Sequence, residues 1–148
     1  MLAVIQRVSS SKVSVDGKTV GQIGQGLNIL LGVKKGDTTV DIKKLADKIL
    51  NLRIFRDEND KMNRSLFDIE GEVLVISQFT LAGNVKKGRR PSFEESEKPD
   101  IAHAYYIEFI EYIRGTGVNV ETGVFGAMMD VEIHNDGPVT FVIDSKEL

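Results

Sequence analysis

The sequence contains no cysteine in 148 residues. This removes disulfide frameworks, zinc–thiolate sites and cysteine nucleophiles together, and it agrees with a reducing compartment. Histidine is scarce too. His103 and His134 are the only two, and neither has metal-ligand spacing to another histidine, so each reads as structural. Long apolar runs are also missing: the stretch 27–33 is far shorter than the roughly 20 residues a spanning helix needs, and no signal-peptide pattern precedes the first alternating segment. These absences predict a cytoplasmic protein that uses neither membrane nor metal. A large excess of one charge is lacking as well. With 19 basic and 22 acidic residues the net charge is −3, which argues against a broad cationic surface for nucleic acid; any RNA contact must be local.

The length suits one domain, 1–148, able to bury roughly 70% of its unfolded surface. Alternating segments from 2 to 33, with Asp16-Gly17 as a hairpin signal and Gly24-Gln25-Gly26 as a second turn, predict an antiparallel meander. A helix is expected over 39–51, capped by Asp37 or Thr38, with Ile42, Leu45, Ala46 and Ile49 on one face. A strand over 52–55 follows, then the polar turn Asp57-Glu58-Asn59-Asp60, where Lys61 and Met62 break the ligand pattern of a calcium loop. After a strand over 73–79, Pro99 opens a second helix that runs to Arg114 and stops at Gly115, with Ile101, Tyr105, Phe109 and Ile113 as its apolar stripe. Strands over 118–122, 131–134 and 139–144 complete an α+β domain of curved, mostly antiparallel sheets covered by two main helices.

Two polar stretches attached to apolar strands draw attention: Ser77-Gln78-Phe79-Thr80 after Val73-Leu74-Val75-Ile76, and Asn135-Asp136-Gly137-Pro138-Val139-Thr140 before Phe141-Val142-Ile143. Hydroxyl and amide groups at the end of a buried strand must find partners or remain available to a ligand. Gly137 can adopt dihedrals closed to other residues, and Pro138 brings no N–H. Thr80 as a nucleophile would need an activating base, and none is placed locally. The glycines between 21 and 26 precede a strand instead of opening a helix, so they do not form a dinucleotide loop. The run Lys86-Lys87-Gly88-Arg89-Arg90 reads either as a solvated loop or as a local phosphate contact.

Ser77-Gln78-Phe79-Thr80-Leu81 and 135–140 resemble the two signature motifs of the D-aminoacyl-tRNA deacylases. The segments 3–8, 48–55 and 87–93 resemble that family in the same order, and so does the pattern Phe125-Gly126-Ala127-x-Met129. The resemblance implies a three-layer β/β/α homodimer that cleaves the ester of D-aminoacyl-tRNA without metal or organic cofactor. Ser77, Gln78, Phe79 and Thr80 would form the catalytic pocket, with Thr80 as a positioner. Backbone N–H groups near Phe79 and Thr80 would hold the oxyanion, and the substrate's own 2′-hydroxyl would activate water. Gly137 and Pro138, joined by a cis bond and inserted from the other subunit, would reject L side chains while leaving glycine accepted. Phe125, Gly126 and Met129 would pack on the terminal adenine, and Lys86, Lys87, Arg89 and Arg90 would contact tRNA. Met128 stands at the pattern's variable position, and Ala82 stands where relatives often carry an aromatic residue. An editing domain of the kind attached to archaeal threonyl-tRNA synthetase and a non-catalytic RNA-binding module are the alternative readings.

Overall fold

The computed structural model describes residues 1–148. Its spine is β1 (Leu2–Val15). Along β1 runs the antiparallel strand β8 (Asp130–Asp144), with Leu2 opposite Asp144 and Ser14 opposite Asp130. Two further strands share β1 in succession: β2 (Lys18–Ile23) pairs with its C-terminal half and β3 (Gly26–Gly32) with its N-terminal half. Asp16 and Gly17 join β1 to β2 with φ of 50° and 75°, the left-handed pair that a two-residue hairpin demands. The expected β1–β2 hairpin is therefore present, but the expected meander is not, because β3 pairs with β1 and not with β2.

Two parallel joints make the sheet mixed. β3 pairs with β6 (Glu72–Ser77), and β6 pairs with β7 (Val120–Thr122). Parallel neighbours need long crossovers, and the two helices lie in them: α1 (Thr39–Asn51) between β3 and β6, and α2 (Pro99–Arg114) between β6 and β7. The far ends of the sheet then curl towards each other. A Cβ on Gly21 of β2 would stand 2.6 Å from the Thr122 carbonyl oxygen of β7, so only glycine fits where the sheet nearly closes.

Side-chain alternation on β6 gives two cores. Val73 and Val75 join Ala3, Ile5, Leu27, Ile29 and Leu31 in the main core under the helices, while Leu74 and Ile76 join Val8, Val13 and Ile23 in a smaller core inside the curled sheet. A strand buried on both faces reads as a continuous apolar run. α1 is capped as expected: the Asp41 carboxylate accepts the Thr38 N–H at 2.8 Å, and Ile42, Leu45, Ala46, Ile49 and Leu50 are buried.

Several expectations are corrected. The second helix has the expected ends, but its buried face is Ala102, Tyr106, Phe109, Ile110 and Ile113, and Ile101 is exposed. A strict four-residue row drifts about 40° per step around a helix of 3.6 residues per turn, so it cannot stay on one face. The strand expected over 52–55 reduces to β4 (Phe55–Arg56), paired with β5 (Met62–Arg64). The Ile54 carbonyl instead accepts the Arg7 side chain at 2.6 Å. The strand expected over 73–79 ends at Ser77 and gives way to a 3₁₀ turn, Phe79–Ala82. β7 begins at Val120 instead of residue 118. The two strands expected over 131–134 and 139–144 are one strand, β8, whose register against β1 slips around Val8, so the Gly137-Pro138 pair lies within a strand.

Candidate active site

The C-terminal end of β6 builds the site. Gln78 N–H makes the last rung, to the Leu31 carbonyl at 2.8 Å; Leu81 N–H then returns to the Gln78 carbonyl at 3.2 Å and Gly83 N–H to the Thr80 carbonyl at 2.9 Å. This close winding needs room on β3. A Cβ on Gly32 would meet the Gln78 carbonyl oxygen at 3.0 Å and the Leu81 Cβ at 3.1 Å. Phe79 and Thr80 open the turn, and the first N–H groups of such a turn have no intrahelical acceptor. The Gln78 side-chain amide donates to Thr80 Oγ1 at 2.5 Å. No basic side chain hydrogen-bonds that hydroxyl.

A cavity of about 530 Å³ opens beside the turn. Ser77, Gln78 and Phe79 form one wall, Ser96, Glu97, Pro99 and Ala102 a second, and Phe125 to Met129 with Val131 a third. The structure therefore brings together Ser77, Gln78, Phe79, Phe125, Gly126 and Met129. Thr80 does not line the cavity; it sits exposed at the rim, tied back to Gln78. Phe79 is also exposed and meets Phe93 edge-on at 5.2 Å.

Helix α2 fixes the aromatic wall. Phe125 stacks on His103 at 4.6 Å with an interplanar angle of 27°, and Tyr106 tilts against the same Phe125 ring at 5.8 Å. Tyr106 donates its hydroxyl to the Val75 carbonyl at 2.8 Å. Burial pushes its phenol up to about 12, so it remains a neutral donor. Gly126 has φ of 76°, and Gly123 leaves space for Met129, whose Sδ would lie 2.6 Å from a Cβ there.

Lys86, Lys87, Arg89 and Arg90 follow the turn directly, on a loop pinched by reciprocal bonds between Asn84 and Ser92 at 2.7 and 3.0 Å. All four are exposed and none is within ion-pair distance of a carboxylate. Four exposed cations without a carboxylate partner thus follow the turn in the chain.

Gly137 and Pro138 lie elsewhere. They are exposed on β8, joined by a cis peptide bond, at the level of Val8 on β1. Val8 is opposite Gly26, and Gly26 is opposite Glu72 at the start of β6, whereas Ser77 ends β6. Neither Gly137 nor Pro138 lines the cavity that Ser77 lines. Asn135 braces the slip in register: its Nδ2 donates to the Arg7 carbonyl at 3.0 Å and to the Val139 carbonyl at 3.1 Å.

Ser96, Glu97 and Tyr106 escaped the sequence reading, and His103, read as structural, backs the Phe125 ring. Glu97 ends an acidic run that looks like any solvated loop; only its position just before Pro99 hints that the helix start would turn it inward. His134 hydrogen-bonds Ser10 through Nδ1 at 3.0 Å, away from the cavity. No group of three or more potential metal ligands gathers in the structure, and no helix is long and apolar enough to cross a membrane. A groove of about 540 Å³ along Lys44, Lys48 and Arg53 is wide open and has no aromatic wall.

The family model described as D-Tyr-tRNA(Tyr) deacylase matches residues 4–144. Proteins named D-aminoacyl-tRNA deacylase from Aquifex aeolicus (strain VF5) and Persephonella marina (strain DSM 14350 / EX-H1) are 63% and 65% identical over 148 residues, covering all of both chains. A solved structure named c-Myc DNA Unwinding Element Binding Protein is similar with a TM-score of 0.92 and 40% identity, over 97% of this chain and 98% of that one. Another, titled as a probable eukaryotic D-amino acid tRNA deacylase, shares the fold with a TM-score of 0.78 and 21% identity, over 96% and 98% of the two chains. On matches of this extent, the chain belongs to the D-Tyr-tRNA(Tyr) deacylase family.

Proposed function

We propose that the protein hydrolyses the ester joining a D-amino acid to the terminal adenosine of tRNA, releasing both, and so proofreads chirality in the cytoplasm. The observation that carries this reading is one cavity lined by Ser77, Gln78 and Phe79 on one side and by Phe125, Gly126 and Met129 on the other, in a chain of this family. The adenine stacks on Phe125 and contacts the Met129 thioether. The ester carbonyl then lies against the opening N–H groups of the 3₁₀ turn, at Phe79 and Thr80, which hold the oxyanion as charge develops. No histidine or lysine lines the cavity, and the 2′-hydroxyl of the substrate activates the water. Thr80 fixes the Gln78 amide, and Lys86, Lys87, Arg89 and Arg90 take RNA phosphates.

Selectivity comes from a second copy of the chain. The exposure of Gly137-Pro138 outside the cavity that Ser77 lines supports a homodimer in which each subunit lends that pair to the other's cavity, excluding an L side chain and sparing glycine. The two cores on opposite faces of the sheet support a β/β/α layering of the single domain, 1–148. No metal or organic cofactor takes part. Mixing Gln78→Ala chains with Pro138→Ala chains is expected to restore D-selective cleavage, because one cavity of each mixed dimer then has both motifs intact. Failure to restore selectivity would remove the cross-subunit element.

The direct test follows ester loss from D-tyrosyl-, L-tyrosyl- and glycyl-tRNA in the presence of a chelator. Cleavage of the D and glycyl esters with L spared is the expected result. Equal cleavage of D and L esters would end the stereochemical filter, and cleavage of L-seryl-tRNA alone would select an editing domain instead. The name of the structural relative at 40% identity motivates a second reading, binding of nucleic acid without cleavage. Bound tRNA with an intact ester would select it.

A further inference from the structure

A second cavity, of about 240 Å³, continues along the same 3₁₀ turn. Phe79 opens the turn in the wall of the first cavity, and Leu81 and Ala82 close it in the wall of the second. The segment leading into α2 is divided in the same way, with Glu95 in the second cavity and Ser96 and Glu97 in the first. Consecutive residues of two segments therefore serve two neighbouring recesses.

Leu2, Leu81 and Val85 give the second recess its apolar wall, and Lys86 and Glu95 give it its charges. Val85 is 72% exposed, so an aliphatic side chain stands open to water on an otherwise polar loop. The backbone that carries each charge is fixed. Lys86 N–H donates to Asn84 Oδ1 at 2.9 Å, and the Glu95 carbonyl accepts the Lys35 N–H at 2.9 Å. Although the two charges share one recess, they do not pair with each other, and neither pairs with any other ionised group. A solvated loop accounts for the charges but not for the apolar recess that they line.

The volume falls below the roughly 300–1,000 Å³ of ordinary ligand pockets, which favours one small ring. Apolar side chains pack on the faces of such a ring, a carboxylate accepts an amino group on its edge, and an ammonium takes a phosphate attached to it. A pyrimidine nucleotide with an exocyclic amine has all three features. The end of tRNA presents one, the cytidine that immediately precedes the terminal adenosine. A carboxylate accepts from the N4 amino group of cytosine, whereas uracil turns an acceptor oxygen to the same point.

We propose that the second cavity is a subsite for that cytosine, with Glu95 accepting its N4 amino group and Lys86 taking its phosphate; this rests on reading the first cavity as the adenosine site of an aminoacyl-tRNA hydrolase. The enzyme then reads two nucleotides of the RNA end, one on each part of the turn.

The test compares the D-tyrosyl esters of adenosine, of the dinucleotide CpA and of UpA, with D-tyrosyl-tRNA as the reference, using the wild-type protein and Glu95→Gln. Glu95 is exposed, and an unchanged melting temperature verifies that the variant folds. The wild type is expected to cleave the CpA ester faster than the adenosine ester, and to prefer CpA over UpA by about tenfold in kcat/KM, the lower part of the range for a base-edge contact. The preference should reside mainly in KM. In Glu95→Gln it should fall to within about threefold, because the glutamine amide also donates to the uracil oxygen. A wild type that treats CpA and UpA alike, or gains nothing from the added cytidine, overturns the subsite. So does a variant that keeps the preference, or that loses activity equally on both dinucleotides, since equal loss marks a structural role. Cleavage of D-tyrosyl-tRNA alongside any of these results leaves the hydrolase reading in place; if D-tyrosyl-tRNA itself is not cleaved, that reading falls first and takes the subsite with it.

Discussion

The guanidinium of Arg7, buried in β1, stands 2.8 Å from the carboxylate of Asp136, the residue that precedes Gly137. The Arg7 Nε–H does not point along that line, so the contact is an ion pair and not an aligned hydrogen bond. Nη1 meanwhile donates to the Ile54 carbonyl at 2.6 Å. Arg7 thus joins the exposed Gly137-Pro138 segment to the chain that follows α1. Its side chain is 3% exposed and that of Asp136 39%, so solvent screens one end of the pair only. Asp136→Asn strips the buried guanidinium of its counter-charge. Denaturant titration is expected to show a loss of roughly 1–3 kcal/mol, and the ratio of D- to L-ester cleavage should fall further than the overall rate. A fall in stability with the ratio intact would separate the ion pair from selectivity.

Thr80→Ala should keep kcat within about tenfold of the wild type, because the one partner of Thr80 Oγ1 is the Gln78 amide, which donates to it and cannot take its proton. Single-turnover ester cleavage measures this. Complete loss of cleavage with tRNA binding retained would make the hydroxyl a nucleophile after all.

Replacing Lys86 and Lys87 together by alanine removes two exposed cations that no carboxylate neutralises. The expected change is a higher KM and a flatter dependence of log KM on log salt, by about 0.7–0.9 for each RNA phosphate that the loop no longer neutralises. An unaltered slope would return this loop to the solvent.

Acid should loosen the start of α1. Burial raises the Asp41 carboxyl, but hydrogen bonds from Lys146, Ser145 and Thr38 outweigh that and hold it well below the usual carboxylate range. A carboxyl depressed by folding contributes stability that is fully present above its unfolded value, about 3.9. That contribution is lost as pH falls through the folded value. Melting temperature should therefore drop steeply below about pH 4, and Asp41→Asn should be less stable at neutral pH yet lose less on acidification. Parallel curves for the two proteins would assign the acid sensitivity to other carboxylates.

Periodicity and turn chemistry located most elements, because Asp16-Gly17, Thr38, Pro99 and Gly115 act through local backbone preferences that any fold must respect. The errors arose where tertiary contacts outweigh local pattern. Residues 52–54 alternate like a strand, yet the Ile54 carbonyl serves Arg7; the helix stripe was instead misread locally, since a four-residue row from Ile101 drifts off the face that Ala102 shares. The cavity was legible in part: Phe125, Gly126 and Met129 lie far from Ser77 in sequence, and only their resemblance to a family pattern joined them beforehand. Glu97 carried no such signal. Its segment is held there by Ser96 reaching the Phe79 carbonyl, which no spacing in the chain announces.

β8 carries Val131 in the wall of its own cavity and, across the slip in register around Val8, the exposed Gly137 and Pro138. Side chains alternate faces along a strand, so inserting or deleting one residue between them turns the whole far segment over. That stretch can change its residues but not its length. Even a neutral-looking alanine inserted between Val131 and Asn135 would redirect Pro138, while the cavity at the other end of the strand stayed intact.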